Sequence, residues 1–190
     1  MSGNLPPAHG AIVLAAGAST RLGHPKQLVE IDGESLLRRV AGAVLATAPV
    51  DCVVVVDAHA TFEMALAGLD ARIVRSPEAA TGMAASLRAG VAALDERADG
   101  ALVVVTDQPA LDARHLATLC ATWRKAPRLA VASAYAGVVG VPALLPRSWF
   151  GEIGALRGDV GARDLLRSRD DVVAIDAPAL ARDIDTPGDL

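Results

Sequence analysis

The chain has 190 residues, 52% of them apolar and only 3% aromatic, and it carries a formal net charge of −4. That length suits one α/β domain, with a core that Ala, Val, Leu and Gly must fill. The acidic balance argues against a nucleic-acid surface, which normally shows a basic excess. No apolar run approaches the ~20 residues that span a bilayer.

The N-terminal "MSGNLPPAHG" lacks a basic segment followed by an apolar one, so it does not read as a secretory leader. A cytoplasmic protein is expected. Cys52 and Cys120 sit in apolar surroundings and read as buried free thiols. No CxxC or paired-His spacing points to structural zinc.

In chain order, the first strand is expected near 11–15. Helical spacing of Leu36, Leu37, Val40, Ala41, Val44 and Leu45 marks the first helix. "CVVVV" (52–56) is the second strand, a short helix is expected at about 61–68, and "ARIV" (71–74) is the third strand. A helix from about Gly82 to Leu94 follows, then "ALVVVT" (101–106) as the fourth strand. The next helix starts after an Asp112 cap, with Leu116, Leu119, Cys120 and Trp123 as its inner stripe. "LAVAS" (129–133) is the fifth strand.

Past Ala134 the rhythm breaks into "YAGVVGVPALLPRSWF", read as irregular, then a short helix, "RGDVGARDLL", a strand at "VVAI" and "DIDTPGDL". Continuous Val-rich strands between helices imply an α/β fold: a Rossmann-like, mostly parallel sheet with helices on both faces. Residues 1–190 read as one domain.

Ligands of such sheets bind beyond the carboxyl ends of the strands. Two segments qualify first: "AAGASTRLGHPK" after the first strand and "TDQP" after the fourth. Gly17 and Gly23 permit close backbone approach, and Ser19 and Thr20 add hydroxyls. Arg21 offers a planar fork and Lys26 a point charge, a set that suits a polyphosphate. Neither the dinucleotide fingerprint nor a P-loop is present. Asp107, at a strand's carboxyl end, reads as a Mg²⁺ ligand or as a turn cap. Asp183 and Asp185 alternate on an extended segment, so they share a side.

Gly82 and Ser86, at the start of "TGMAASL", can admit a ring and bond a base or ribose; a helix start capped by Thr81 is the alternative. Gly158, Asp159 and Gly161 precede a short helix whose free N–H groups could receive an anion, or they form a tight turn. His9, His59 and His115 read as surface residues, His24 as a loop residue. Trp123, Trp149 and Phe150 read as core.

"LAAGASTRLGHPKQL" resembles the signature of the MobA-like nucleotidyltransferases, in particular the molybdenum cofactor cytidylyltransferase branch. "TGMAASLRAGVAAL", "VVVTDQP", "GVPALLPRSWF", "LRGDVGARDLL" and "DIDTPGDL" resemble that family in the same order. The resemblance implies a glycosyltransferase-A type fold and a Mg²⁺-dependent nucleotidyltransferase. CMP would pass from CTP to the phosphate of molybdopterin-type cofactor, and pyrophosphate would leave. It implies nucleotide binding by Leu14, Ala15, Ala16, Gly17, Ser19, Arg21, Lys26, Gly82, Met83 and Ser86. Acceptor binding falls to Gly140, Pro142, Gly158, Asp159 and Gly161. Arg21, Lys26 and Asp107 would be catalytic, and Asp107 with Asp185 (or Asp183) would hold the metal.

CTP is preferred over GTP because Ala16 stands where guanylyl relatives carry glycine. A molybdenum hydroxylase is an implied partner. The competing readings are a guanylyltransferase, an isoprenoid-precursor cytidylyltransferase, a sugar-phosphate nucleotidyltransferase and a non-catalytic maturation factor for a molybdenum enzyme.

Overall fold

A computed structural model describes residues 6–17 and 23–184. In chain order these form β1 (His9–Leu14), β2 (Glu30–Ile31), β3 (Glu34–Ser35), α1 (Leu36–Leu45), β4 (Cys52–Asp57), β5 (Arg72–Ser76) and α2 (Met83–Ala93). β6 (Gly100–Val105), α3 (Ala113–Lys125), β7 (Ala130–Tyr135), β8 (Val138–Pro146), α4 (Phe150–Ala155), α5 (Ala162–Arg167) and β9 (Val172–Asp176) follow. Seven strands make the main sheet in the order β5-β4-β1-β6-β8-β7-β9. All its pairings are parallel except those of β8, which runs against both β6 and β7.

The strands read as unbroken apolar runs because both faces are covered. Val13, Val54 and Val104 face α1 and α3, packing with Leu37, Val40, Leu116 and Trp123. Ile12, Val53, Val55 and Val103 face the other layer, with Leu87, Ile153 and Leu166. The ends of α1 and α3 follow ordinary capping chemistry: Ser35 Oγ accepts from Arg38 N–H and Asp112 Oδ1 from His115 N–H. Both cysteines are buried free thiols, and burial pushes the Cys52 thiol up to about 12.

Several expectations change. The helix expected at 61–68 is a series of turns. Its hydrogen bonds are mostly of the three-residue type, and Gly68 at φ +79° ends it, while Phe62 and Leu66 still bury their side chains. The stretch after Ala134 is not irregular. It is a hairpin, with Ala136 (φ +50°) and Gly137 (φ +77°) at the turn between β7 and β8.

β8 tolerates Pro142 because the β7 pairing jumps from Ala143 to Gly140, leaving Val141 and Pro142 bulged out of the ladder. Side chains satisfy the bulged carbonyls: Tyr135 OH donates to Val141 O and Ser133 Oγ to Pro142 O, each at 2.7 Å.

Nor are His9 and His115 surface residues. His9 is buried against Thr47 Oγ1 (2.9 Å) and Cys120 Sγ (3.6 Å) because β1 starts at His9, ahead of the expected start near residue 11. His115 is half-buried with Nε2 2.7 Å from Ser133 Oγ. Trp123 and Trp149 lie in the core as expected.

Candidate active site

The carboxyl ends of β1, β4 and β6 open into one cleft of about 1270 Å³. β1 and β6 are adjacent and in register from His9–Gly100 to Leu14–Val105, so the loops that follow them emerge side by side. The cleft is lined by Leu14, Ala15, Ala16, Gly17 and Lys26 after β1 and by Thr106 and Asp107 after β6. Gly82, Met83 and Ser86 line it from the start of α2.

Lys26 Nζ donates to Asp107 Oδ2 at 2.7 Å, both side chains being mostly shielded. Asp107 therefore faces the cleft and a cation rather than capping its own turn. Lys26 sits on a single 3₁₀ turn, Lys26–Leu28, closed by Leu28 N–H to Pro25 O and Val29 N–H to Lys26 O. Among the described residues, a Cβ on Gly17 would meet Lys26 Cε, at 3.9 Å, so that glycine lies beside the lysine stem.

The C-terminal segment also reaches this point. Ile184 N–H donates to the carbonyl of Asp107 at 2.9 Å, and the Ile184 side chain is buried against Val29 and Leu36. Asp183 is thus one residue from a direct bond to Asp107's backbone. Ser19, Thr20, Arg21 and Asp185 lie outside the described residues.

α2 begins without a side-chain cap, and Thr81 Oγ1 instead donates to Glu78 O. The loop ahead of α5 takes the capping role: Gly158 O accepts from Ala84 N–H at 3.1 Å. Gly82, at φ +124°, makes this approach possible, since a Cβ there would overlap Gly158 O and come within 2.7 Å of Asp159 Oδ1.

Asp159 lines the same cleft as Gly82, so those two motifs form one wall. The short α5 offers little to an anion at its start, because Gly161 N–H already donates to Asp164 Oδ2 at 2.8 Å. Gly161 instead packs on Met83. Gly140 and Pro142 lie within β8, where Gly140 closes against Tyr135 OH, and they are not among the cleft's lining residues.

Residues not singled out in the sequence also matter. Asp57 ends β4 and lines the cleft with Phe62, and so does His59, a residue expected at the surface. Gln27 and Gln108 each follow a member of the ion pair and are buried. Gln27 Nε2 donates to Ala15 O (2.7 Å) and Gly17 O (3.1 Å). Gln108 Nε2 donates to Val141 O and Leu180 O, each at 3.2 Å. The only sequence signal for them was a glutamine beside each charge.

No group of three or more His, Cys, Asp or Glu side chains among the described residues forms a metal cage. Mg²⁺ does not need one: one or two carboxylates complete its sphere with substrate phosphates and water. Asp107, mostly shielded and facing the cleft, fits that mode.

A strand-end cleft with a lysine–aspartate pair is suited to bind and cleave a polyphosphate. The chain belongs to the MobA-like NTP transferase domain family, whose model matches residues 11–173, and it is a nucleotidyltransferase. Purine catabolism protein PucB of Bacillus subtilis (strain 168) is 30% identical over 167 residues, spanning 83% of this chain and 80% of PucB.

Rv0371c of Mycobacterium tuberculosis H37Rv superposes with a TM-score of 0.77 at 28% identity, covering 96% of this chain and 95% of its own. Its complex with manganese superposes with a TM-score of 0.74. A nucleotidyl transferase from Methanothermobacter shares the fold, with a TM-score of 0.79 at 23% identity over 98% of this chain and 94% of its own.

Proposed function

We propose that this nucleotidyltransferase moves CMP from CTP to the phosphate of a molybdopterin-type cofactor and releases pyrophosphate. The observation that carries the reading is the Lys26–Asp107 pair in one cleft with the backbone of Ala15–Gly17 and the start of α2. The nucleotide's base and ribose would lie between Ala15–Gly17 and Gly82–Ser86. Lys26, with Arg21, would hold the triphosphate and offset charge on the departing pyrophosphate.

The acceptor's phosphate oxygen attacks the α-phosphorus in line. A phosphate monoester is already mostly dianionic at neutral pH, with a second pKa of about 6, so the site needs no general base. Catalysis then rests on positioning and charge. Asp107, with Asp185 or Asp183, would hold Mg²⁺, which supplies charge neutralisation on the phosphates. Asp159 and Gly158 would form the wall toward the acceptor.

CTP is favoured by Ala16, whose methyl narrows the space beside the loop against a purine. A molybdenum hydroxylase would receive the finished cofactor. The relation to PucB, named for purine catabolism, also suits a second reading, a maturation factor that carries cofactor without turnover. A panel of nucleoside triphosphates, assayed for pyrophosphate with and without molybdenum cofactor, separates the two: a carrier releases none.

A further inference from the structure

Gln27 is 2% exposed, yet among the described residues its side chain bonds to no other side chain. Its Nε2 donates to two backbone carbonyls, those of Ala15 and Gly17, which flank Ala16. Its Oε1 is buried and has no hydrogen-bond partner among the described residues. A buried amide normally satisfies both ends; here Nε2 takes two carbonyls while Oε1 has no partner among the described residues.

The residue before it is Lys26, braced from the opposite side by Asp107 at 2.7 Å. Gly17 and Lys26 are separated in sequence by the whole loop. The Gln27 amide closes that loop at its base.

We infer that Gln27 is a positioning residue: it straps the Lys26 turn to the Ala15–Gly17 backbone, fixing the ammonium relative to the nucleotide-facing loop. The strap needs an N–H donor that reaches both carbonyls, which the neutral amide supplies without burying a charge. Carbonyls accept and do not donate, so a carboxylate in its place sets acceptor against acceptor. An apolar side chain of similar size leaves two shielded carbonyls without a donor. That loss can be relieved only if the loop base moves or takes in water. Gln27 borders the cleft with its Nε2 committed to two backbone carbonyls, so its effect passes through Lys26 and the loop.

The nucleotide arm of the test rests on the nucleotidyl-transfer reading; the exchange arm does not. Gln27→Met keeps length without the amide, and Gln27→Asn serves if that variant fails to fold. In protein with an unchanged circular-dichroism spectrum, hydrogen exchange at the amides of Ala15, Leu28 and Val29, which donate to Val55 O, Pro25 O and Lys26 O, should quicken. The loss should be roughly ten- to hundredfold in protection. The KM for CTP should rise by at least about tenfold, more than kcat falls. A merely structural role would lower the melting temperature and leave KM unchanged. Unchanged exchange at Ala15, Leu28 and Val29 overturns the strap. If the wild-type protein turns over no triphosphate, the functional reading fails and the exchange measurement alone decides the strap.

Discussion

At the scale of single residues, Lys26 and Asp107 neutralise one another at 2.7 Å, and a polyphosphate with its cation must divide that pair. Lys26→Ala should leave the fold intact and lower kcat by on the order of 10²–10³, the cost of one preorganised donor. Near-normal turnover in a folded variant would remove Lys26 from catalysis. Asp107→Asn keeps shape and loses charge. It should abolish metal-dependent turnover and weaken Mn²⁺ binding measured in the presence of CTP.

Ala16→Gly should raise kcat/KM for GTP relative to CTP; an unchanged ratio would place base selection elsewhere. His9 supplies a pH prediction. Burial, with the Arg124 guanidinium beside it, holds His9 down at about 4 against an ordinary 6.5. The unfolded chain therefore takes up a proton that the folded chain refuses between those values. Stability is full above pH 6.5 and falls as pH drops toward 4, by on the order of 3 kcal/mol. His9→Gln should flatten that part of the urea-midpoint profile. A wild-type profile level across this range would contradict the buried neutral imidazole.

At the scale of elements, the start of α2 and the loop before α5 depend on each other through Gly82. Its φ of +124° and its contact with Gly158 admit no side chain. Gly82→Ala should destabilise by about 1–3 kcal/mol and detach the wall that carries Asp159, read as a lower urea midpoint and a higher KM.

The elements legible in the sequence were those with one strong physical signature. Val53–Val56 and Val103–Val105 are continuous apolar runs because helices cover both faces. Asp112 caps α3 as its type and place imply. β8 was not legible because its glycine and proline are accommodated by a bulge, a fact of register with β7.

Lys26 and Asp107 could be named singly. Their contact required the adjacency of β1 and β6. Gln27 was invisible because its partners are backbone carbonyls. Gln108 is the matching case beside Asp107, tied to Val141 and Leu180. Gln108→Met should raise the metal concentration needed for half-maximal turnover more than it raises the KM for CTP.

At the scale of the molecule, the carboxyl ends of the central strands gather Ala15, Lys26, Asp57, Gly82, Asp107 and Asp159 from distant stretches of chain into one cleft. The chain is acidic overall, at −4, so affinity for a polyanion has to come from local cations and metal. Turnover should accordingly collapse on chelation of divalent metal and return when Mg²⁺ or Mn²⁺ is restored.

The most direct test of the central claim uses CTP labelled at its α-phosphorus, incubated with the protein, Mg²⁺ and molybdenum cofactor. Label should appear on the cofactor in equal amount to pyrophosphate released, with neither product formed by Asp107→Asn. Pyrophosphate without labelled cofactor would contradict the acceptor, and no pyrophosphate from any triphosphate would contradict nucleotidyl transfer itself.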